Sequence, residues 1–192
     1  MNEEDENLKV REFTLSVLTE DKSGLLNLLT IIFTRRNLNI SSLNVSNSEV
    51  RGVSRFTIVT QTSKDMVGKV VKQIRKLVDV LGAFVYEEDQ IFYQEIALYK
   101  VPTQAFLEGN RIEDLVRNSG ARILVIEKDH IIIEKTGHSN ETHELYKKLE
   151  PFGLLEFVRS GRVAISKSKR KTEAYIKELE ASESNKLSIK DF

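Results

Sequence analysis

The 192-residue chain has no cysteine and no tryptophan, and it has only two prolines. Without cysteine there is no disulfide, no thiolate metal site and no thiol nucleophile, which is typical of a cytoplasmic protein. No apolar run approaches the ~20 residues of a membrane-spanning helix, and the acidic start Glu3-Glu4-Asp5-Glu6 does not resemble a secretion signal. We therefore expect a soluble, cytoplasmic protein.

An excess of either charge is also lacking. Lysine plus arginine and aspartate plus glutamate number 29 each, so no overall basic field attracts nucleic acid or an anionic membrane. We expect neither as a partner. The apolar fraction of 40% is sufficient for a globular core, and the length allows one large domain or two small ones.

The hydropathy pattern of residues 11–90 predicts a complete repeat of strands and helices. Its order is strand, helix, strand, strand, helix, strand, which is the ferredoxin-like βαββαβ arrangement. Gly52 supplies the turn between the middle strands, and Thr62 with Asp65 predicts a capping box for the second helix. The predicted elements are a strand over 13–18, a helix over 24–36, strands over 40–48 and 53–60, a helix bearing Val67, Val70, Val71, Ile74, Leu77 and Val78, and a strand over 80–87.

The same order repeats further along the chain. The fold class is therefore α+β, with two ferredoxin-like domains in tandem over 11–90 and 91–168. We expect a mobile N-terminus over 1–10 and a charged tail over 169–192. The second set comprises a strand over 93–101, a helix over 108–118 with inner residues Ile112, Leu115 and Val116 and a stop at Gly120, strands over 122–127 and 131–135, a helix bearing Leu145, Tyr146 and Leu149 that ends at Pro151, and a strand over 154–165.

The segment Asp21-Lys22-Ser23-Gly24-Leu25-Leu26 joins the first strand to the first helix. A helix start carries unpaired N–H groups and partial positive charge, so it can bind an anion, and Gly24 allows close approach to the backbone. An amino acid needs these donors for its carboxylate, an acceptor such as Asp21 with Asn39 for its ammonium, and an apolar wall such as Leu25 or Leu26. A plain turn capped by Asp21 or Ser23 accounts for the same residues.

The first helix has more apolar residues than one buried stripe needs. Leu26, Ile31 and Phe33 lie outside the stripe that runs from Leu25 to Ile32. This surplus predicts packing against a second copy of the chain, and burial of the helix within its own domain is the alternative.

Other polar clusters have simpler interpretations. His138, Glu141 and His143 lie close together, but the two histidines are five residues apart and do not share a helix face, so we interpret them as surface residues and predict no metal site. We expect His130 to be exposed in a turn, and no acid–base pair predicts catalysis. The basic residues of the tail are interpreted as solvated or in contact with an acidic partner patch. They are Lys167, Lys169, Arg170 and Lys171.

Several segments resemble known regulatory domains. Residues 18–26 and 35–40 resemble an ACT domain, a small amino-acid-sensing module. Over roughly residues 11–168 the chain resembles more narrowly the regulatory (small) subunit of acetolactate synthase, also called acetohydroxyacid synthase. The segments that carry this resemblance are Asn39-Ile40-Ser41-Ser42-Leu43, Ser54-Arg55-Phe56-Thr57-Ile58, Lys76-Leu77-Val78-Asp79-Val80, Glu95-Ile96-Ala97-Leu98-Tyr99-Lys100-Val101 and Val158-Arg159-Ser160-Gly161.

The resemblance implies a chain that catalyses nothing alone, activates a thiamine-dependent catalytic subunit and confers feedback inhibition, commonly by valine. Thiamine diphosphate, Mg²⁺ and FAD would belong to that partner. The implied effector site comprises Asp21, Ser23, Gly24, Leu25 and Leu26 of one ACT domain, with Ile40 and with Asn39 contributed across a homodimer interface.

Two residues depart from the pattern of that family. Asp21 stands where the family often has Asn, and Asn37 stands where Gly is usual. Two other functions remain open on the residues alone: a freestanding amino-acid-responsive regulator, for example of transcription, and a small enzyme on a ferredoxin-like scaffold. A DNA reader should show a basic recognition helix and an enzyme a convergent polar pocket, and the sequence predicts neither.

Overall fold

The structure is a computed structural model that describes residues 8–107, 111–169, 172 and 174–176. The described residues divide into two compact units, one within Met1–Phe92 and Ala164–Phe192 and the other within Tyr93–Val163. Residues 1–7 of the predicted mobile N-terminus and most of the predicted charged tail lie outside the described residues.

The first unit has the predicted order of elements. Its four-stranded antiparallel sheet has the order β2-β3-β1-β4, so the first strand lies between the third and the fourth. This is the ferredoxin-like arrangement expected from the hydropathy pattern. The elements are β1 (Arg11–Glu20), α1 (Leu25–Thr34), β2 (Ser42–Asn47), β3 (Val53–Thr62), α2 (Lys64–Ile74) and β4 (Val80–Tyr86).

Period-two alternation on β1 builds the core of this unit. Phe13, Leu15 and Val17 point to one face of the sheet and are fully buried, because α1 and α2 cover that face with residues such as Leu29 and Val70. Strand alternation and helical spacing therefore meet in a single apolar layer.

Two local predictions in this unit are wrong. The cap of α2 is Ser63, whose hydroxyl accepts a hydrogen bond from the Met66 N–H at 3.3 Å, whereas Thr62 still belongs to β3 and pairs with Arg11. The helix also ends at Ile74, before Val78, whose side chain is 95% exposed. The chain must turn there to enter β4, and the Arg75 guanidinium stabilises the turn by donating to the Ala83 carbonyl at 2.9 and 2.5 Å.

The second unit repeats the arrangement with differences in detail. Its five-stranded sheet has the order β6-β7-β5-β8, and β9 also pairs with β5. The predicted helix over 108–118 is described from Arg111, and residues 108–110 lie outside the described part. The elements are β5 (Ile91–Pro102), α3 (Thr103–Leu107), α4 (Arg111–Asn118), β6 (Arg122–Ile126), β7 (His130–Gly137), α5 (Ser139–Leu149), β8 (Glu156–Arg159) and β9 (Val163–Ser166).

The predicted single strand over 154–165 is wrong, because β8 and β9 are separated at residues 160–162. Ser160 ends the pairing by folding back on β5: its N–H donates to the Ile96 carbonyl at 2.8 Å and its hydroxyl accepts from the Ile96 N–H at 2.9 Å. Arg162 then turns inward, 3% exposed, with its guanidinium carbon 3.7 Å from the centre of the Tyr93 ring. An apolar alternation pattern does not reveal such a break.

The core of the second unit lies on one face of β5. Ala97, Tyr99 and Val101 are fully buried against residues of α4 and α5 that include Ile112 and Leu145, while the intervening residues of β5 are mostly exposed. The Tyr99 hydroxyl donates to the Thr142 carbonyl at 2.6 Å, and so joins the central strand to α5. No helix in the described part of the chain is long and apolar enough to cross a membrane.

Replacing Tyr99 by Phe should lower the free energy of unfolding by about 1 kcal/mol, because one buried hydrogen bond is lost. Burial also raises the pKa of the Tyr99 hydroxyl to about 12. The resulting contribution to stability is complete below the unfolded-state pKa of ~10 and is lost as the pH rises through the folded-state pKa. Urea unfolding at pH 8 and across pH 9–12 measures both effects. Tyr146→Phe is the control, since its hydroxyl lies 3.5 Å from Glu150 at the surface, and equal losses in both variants would contradict the assignment.

Candidate functional site

The junction between β1 and α1, residues 21–26, is fixed by backbone hydrogen bonds on both sides of the strand. The Glu20 N–H donates to the Asp79 carbonyl at 3.0 Å, and the Asp21 N–H donates to the Gly52 carbonyl at 2.9 Å. The turn before β3 and the turn before β4 therefore both hold the end of β1, and the junction starts from a defined position.

The carboxylate of Asp21 is oriented by β3. The Ser54 hydroxyl donates to it at 3.0 Å, while the Asp21 side chain stays exposed. One carboxylate oxygen thus has a fixed donor, and the rest of the group faces solvent. An exposed, oriented carboxylate is a suitable acceptor for an ammonium group.

Lys22 does not neutralise Asp21. Its ammonium lies 2.7 Å from a carboxylate oxygen of Asp79 and 2.5 Å from one of Glu20. Hydrogen bonds to Asp79 and then to Glu20 hold the pKa of Lys22 well above its usual value. The positive charge therefore belongs to a separate group of carboxylates at the same junction.

Gly24 is the N-cap residue of α1, and its backbone conformation favours glycine. It has φ of 88° in the left-handed region, and no side chain caps the helix there. The predicted alternative of a cap by Asp21 or Ser23 therefore does not describe this turn. A Cβ built on Gly24 meets nothing within 4 Å, so the start of the helix is open to a ligand.

The two leucines at the start of α1 have different roles. Leu25 is 3% exposed inside the core, whereas Leu26 is 45% exposed. Leu25 can therefore offer a ligand only its backbone N–H, and Leu26 alone of the two offers an apolar side chain. Ser23 is exposed in the turn between them and Asp21.

Asn39 and Ile40 lie at the other end of α1. The Asn39 side chain is exposed, and its carbonyl accepts from the Thr60 hydroxyl at 2.7 Å, while Ile40 packs against the core. A ten-residue helix is about 15 Å long, so one copy of the chain separates this pair from Asp21. Within one copy, Asn39 and Ile40 therefore lie apart from the rest of the predicted site. The other predicted residues lie together at the junction: Asp21, Ser23, Gly24, Leu25 and Leu26.

Ser54 is the residue that sequence reasoning missed. It lies opposite Thr19 in the β1–β3 register, two residues before Asp21. The sequence shows a serine at the start of an apolar strand, in the segment Ser54-Arg55-Phe56. That this serine bonds to Asp21 follows only from the strand register.

The histidines interpreted as surface residues make contacts within the second unit. His138 is the cap of α5, and its N–H donates to the Glu141 carboxylate at 2.6 Å; the His143 ring stacks on Tyr146 at 5.6 Å. His130 begins β7 and is half-buried, so the prediction of an exposed turn residue is wrong, because it pairs with Pro102. Within the described ranges, no group of three or more His, Cys, Asp or Glu could hold a metal.

The basic cluster after β9 is described only in part. The Lys167 ammonium donates to the Asp89 carbonyl at 2.6 Å and lies 4.8 Å from the centre of the Phe92 ring. Lys169 is exposed. Arg170 and Lys171 lie outside the described residues.

Comparison with known proteins agrees with both units. Residues 15–82 match the model of the AHAS small subunit-like ACT domain, and residues 94–168 match the model of the small subunit of acetolactate synthase. The chain is 37% identical over 157 residues to the acetolactate synthase small subunit of Mycolicibacterium smegmatis, covering 82% of this chain and 92% of that protein. The chain belongs to the acetolactate synthase small-subunit family.

Other members of the small-subunit family agree. The Bacillus subtilis acetolactate synthase small subunit is 34% identical over 158 residues, covering 82% of this chain and 90% of that protein. The crystal structure of the small subunit from Thermotoga maritima superposes with a TM-score of 0.75 at 28% identity, covering 83% of this chain and 99% of that one. The predicted family and the tandem ferredoxin-like fold with an ACT domain first are therefore confirmed.

Gly24→Ala should destabilise the chain by about 1–2 kcal/mol, because a Cβ is disfavoured at φ of 88°. Gly68→Ala is the matched control. Gly68 lies inside α2 at an ordinary φ, with nothing within 4 Å of an added Cβ, so this change should stabilise the chain by about 0.5–1 kcal/mol. Thermal unfolding measures both, and two shifts of the same sign would contradict the role given to Gly24.

Proposed function

We propose that this chain activates the thiamine-dependent catalytic subunit of acetolactate synthase and confers on it feedback inhibition by valine. The observation that carries the effector half is the uncapped start of α1 at Gly24, next to the exposed carboxylate of Asp21. Family membership supports the partner, and thiamine diphosphate, Mg²⁺ and FAD are then cofactors of that partner.

The proposed contacts satisfy each part of the amino acid. The carboxylate of valine binds the free N–H groups at the start of α1, where the helix dipole also favours an anion. Its ammonium group binds Asp21, and its isopropyl group contacts Leu26. Hydrogen bonds to charged groups contribute about 1.5–3 kcal/mol each, so two or three of them give micromolar to millimolar affinity.

We propose that a second copy of the chain completes this site. On α1, Leu26 is 45% and Ile31 36% exposed, whereas Phe33, the third residue of the predicted surplus, is 1% exposed in the core. Leu28, which belongs to the predicted buried stripe, is 44% exposed instead. The exposed side chains of Leu26, Leu28 and Ile31 support a homodimer formed through the ACT domains. A two-fold axis makes the same surface meet itself. The Asn39 and Ile40 pair of one copy then reaches the junction of the other, across a distance that a single copy does not bridge.

Inhibition would follow from differential affinity. Valine shared by two protomers stabilises one arrangement of the dimer over another, and it transmits only the difference between its two binding free energies. A coupling of about 1–3 kcal/mol changes the equilibrium between the two arrangements roughly 5- to 150-fold.

Mixing the chain with its cognate catalytic subunit tests the proposal directly. We expect no pyruvate condensation by the chain alone, and an increase in the turnover of the catalytic subunit when both are present. Boiled chain is the control for unspecific stabilisation. No change on mixing would contradict the proposal and favour a freestanding amino-acid-responsive regulator.

Substitutions at the junction separate valine binding from activation. Gly24→Asp introduces a negative charge where the valine carboxylate lies and should abolish binding. Asn39→Ala removes a polar contact from the second copy and should weaken binding about tenfold to a hundredfold, while the Asn39 carbonyl keeps its bond to Thr60. Calorimetry of valine binding measures these effects, and activation of the catalytic subunit should survive.

The matched control is Asn140→Ala, an exposed asparagine on α5 of the second unit, which should leave valine affinity unchanged. If Gly24→Asp and Asn39→Ala also left it unchanged, the site assignment would be wrong even if activation were observed.

A further inference from the structure

The first sheet has a second face, opposite α1 and α2, and residues near the end of the chain cover part of it. Leu18 of β1 and Val53 of β3 are 2% and 7% exposed there, in one apolar cluster with Ile176, which is 6% exposed. Tyr175 packs against the same cluster. Both residues follow position 168, the last one matched by the family models.

Tyr175 fits closely over a glycine. A Cβ built on Gly82 would lie 2.6 Å from a ring carbon of Tyr175, which is closer than non-bonded carbon atoms approach. The ring also meets Phe84 edge to face, with the centroids 5.0 Å apart. The absence of a side chain at position 82 therefore makes room for this aromatic residue.

A polar contact holds the start of the same segment. The Arg55 guanidinium donates to the Thr172 hydroxyl at 3.0 Å and to the Glu49 carboxylate at 3.3 Å. The Glu49 carboxyl accepts hydrogen bonds from the Glu49 backbone N–H and from the Thr172 hydroxyl, and these hold its pKa below the usual value. Thr172, Tyr175 and Ile176 thus contact the sheet through a hydrogen bond, an aromatic ring and an aliphatic side chain, respectively.

This contact lies next to the β1–α1 junction in the fold. Val53 and Arg55 point to the face that the C-terminal residues cover, whereas Ser54 between them points to the helix side and donates to Asp21. Gly52, just before Val53, accepts the hydrogen bond from the Asp21 N–H. The start of β3 therefore connects the C-terminal residues to the position of Asp21.

We define the C-terminal strap as Thr172, Tyr175 and Ile176. We propose that the sheet face formed by Leu18, Val53, Gly82 and Phe84 is the docking surface for this strap. The docked strap holds in place the turn before β3, whose Gly52 carbonyl positions Asp21. Release of the strap loosens this turn. A further consequence rests on the proposed function: strap release also lowers the affinity of the junction for valine.

Amide hydrogen exchange of the full-length chain tests the docking. Tyr175→Ala and Ile176→Ser should each speed exchange at the Glu20 and Asp21 amides about tenfold. The Asp21 amide is bonded to Gly52 just before β3 and the Glu20 amide to Asp79 just before β4, and the strap contacts both of these strands. The amide of Ile133, in the core of the second unit, should exchange at an unchanged rate. Unchanged rates at Glu20 and Asp21 in both variants would overturn the proposal.

A double-mutant cycle identifies the cause. Gly82→Ala should speed exchange at Asp21 in the native chain, because the new methyl group displaces the Tyr175 ring, and it should have no further effect when Tyr175 is already Ala. Gly68→Ala, which meets nothing within 4 Å, should speed exchange in neither background. If Gly82→Ala sped exchange equally in both backgrounds, its effect would be a local change in β4, and the proposed role of the strap would be wrong.

Valine titration of the same variants separates the two proposals. We expect Tyr175→Ala to weaken valine binding several-fold without changing its stoichiometry. If the native chain binds no valine, the proposed function is wrong, while faster exchange in the strap variants still supports the docking. If the native chain binds valine and the strap variants bind it equally well, the strap does not act on the site.

Discussion

Strand β1 is hydrogen-bonded on both edges, to β3 from Arg11 to Glu20 and to β4 from Thr14 to Thr19, and the first unit depends on this double pairing. A strand paired on both sides cannot slip without exchanging its buried and exposed faces. The place where β1 ends is therefore fixed, and so is the direction in which the chain leaves the sheet. The proposed effector contacts use this rigid end, and a mobile loop would orient them less well.

The hydropathy pattern predicts most of the fold because each strand or helix buries only one of its faces. Phe13, Leu15 and Val17 alternate because a strand alternates, and Val67, Val70 and Val71 repeat because a helix repeats. Patterns do not predict hydrogen bonds between residues distant in sequence, such as Ser54 to Asp21. They also do not predict where an apolar strand is broken, as at Ser160, since the break is made by a hydroxyl and a backbone carbonyl.

Asn37 shows how a departure from a family pattern can be structurally neutral. It has φ of 53° just after α1, the left-handed conformation that ends many helices. Glycine adopts this conformation most readily, and asparagine is among the few other residues that tolerate it. The backbone can therefore keep the same path into β2. Asp21 differs in kind, because replacing an amide by a carboxylate adds a charge at the proposed site.

The position of the strap in the chain affects how the protein is made. The whole of the second unit, Tyr93–Val163, is inserted between the first sheet and the residues that cover its outer face. At about 5–20 residues per second, a ribosome needs roughly 5–20 s to pass from Phe84 to Tyr175. During that interval Leu18, Val53 and Phe84 are open to solvent on the nascent chain. The first unit is therefore completed last, and its outer face is available to chaperones while the second unit is synthesised.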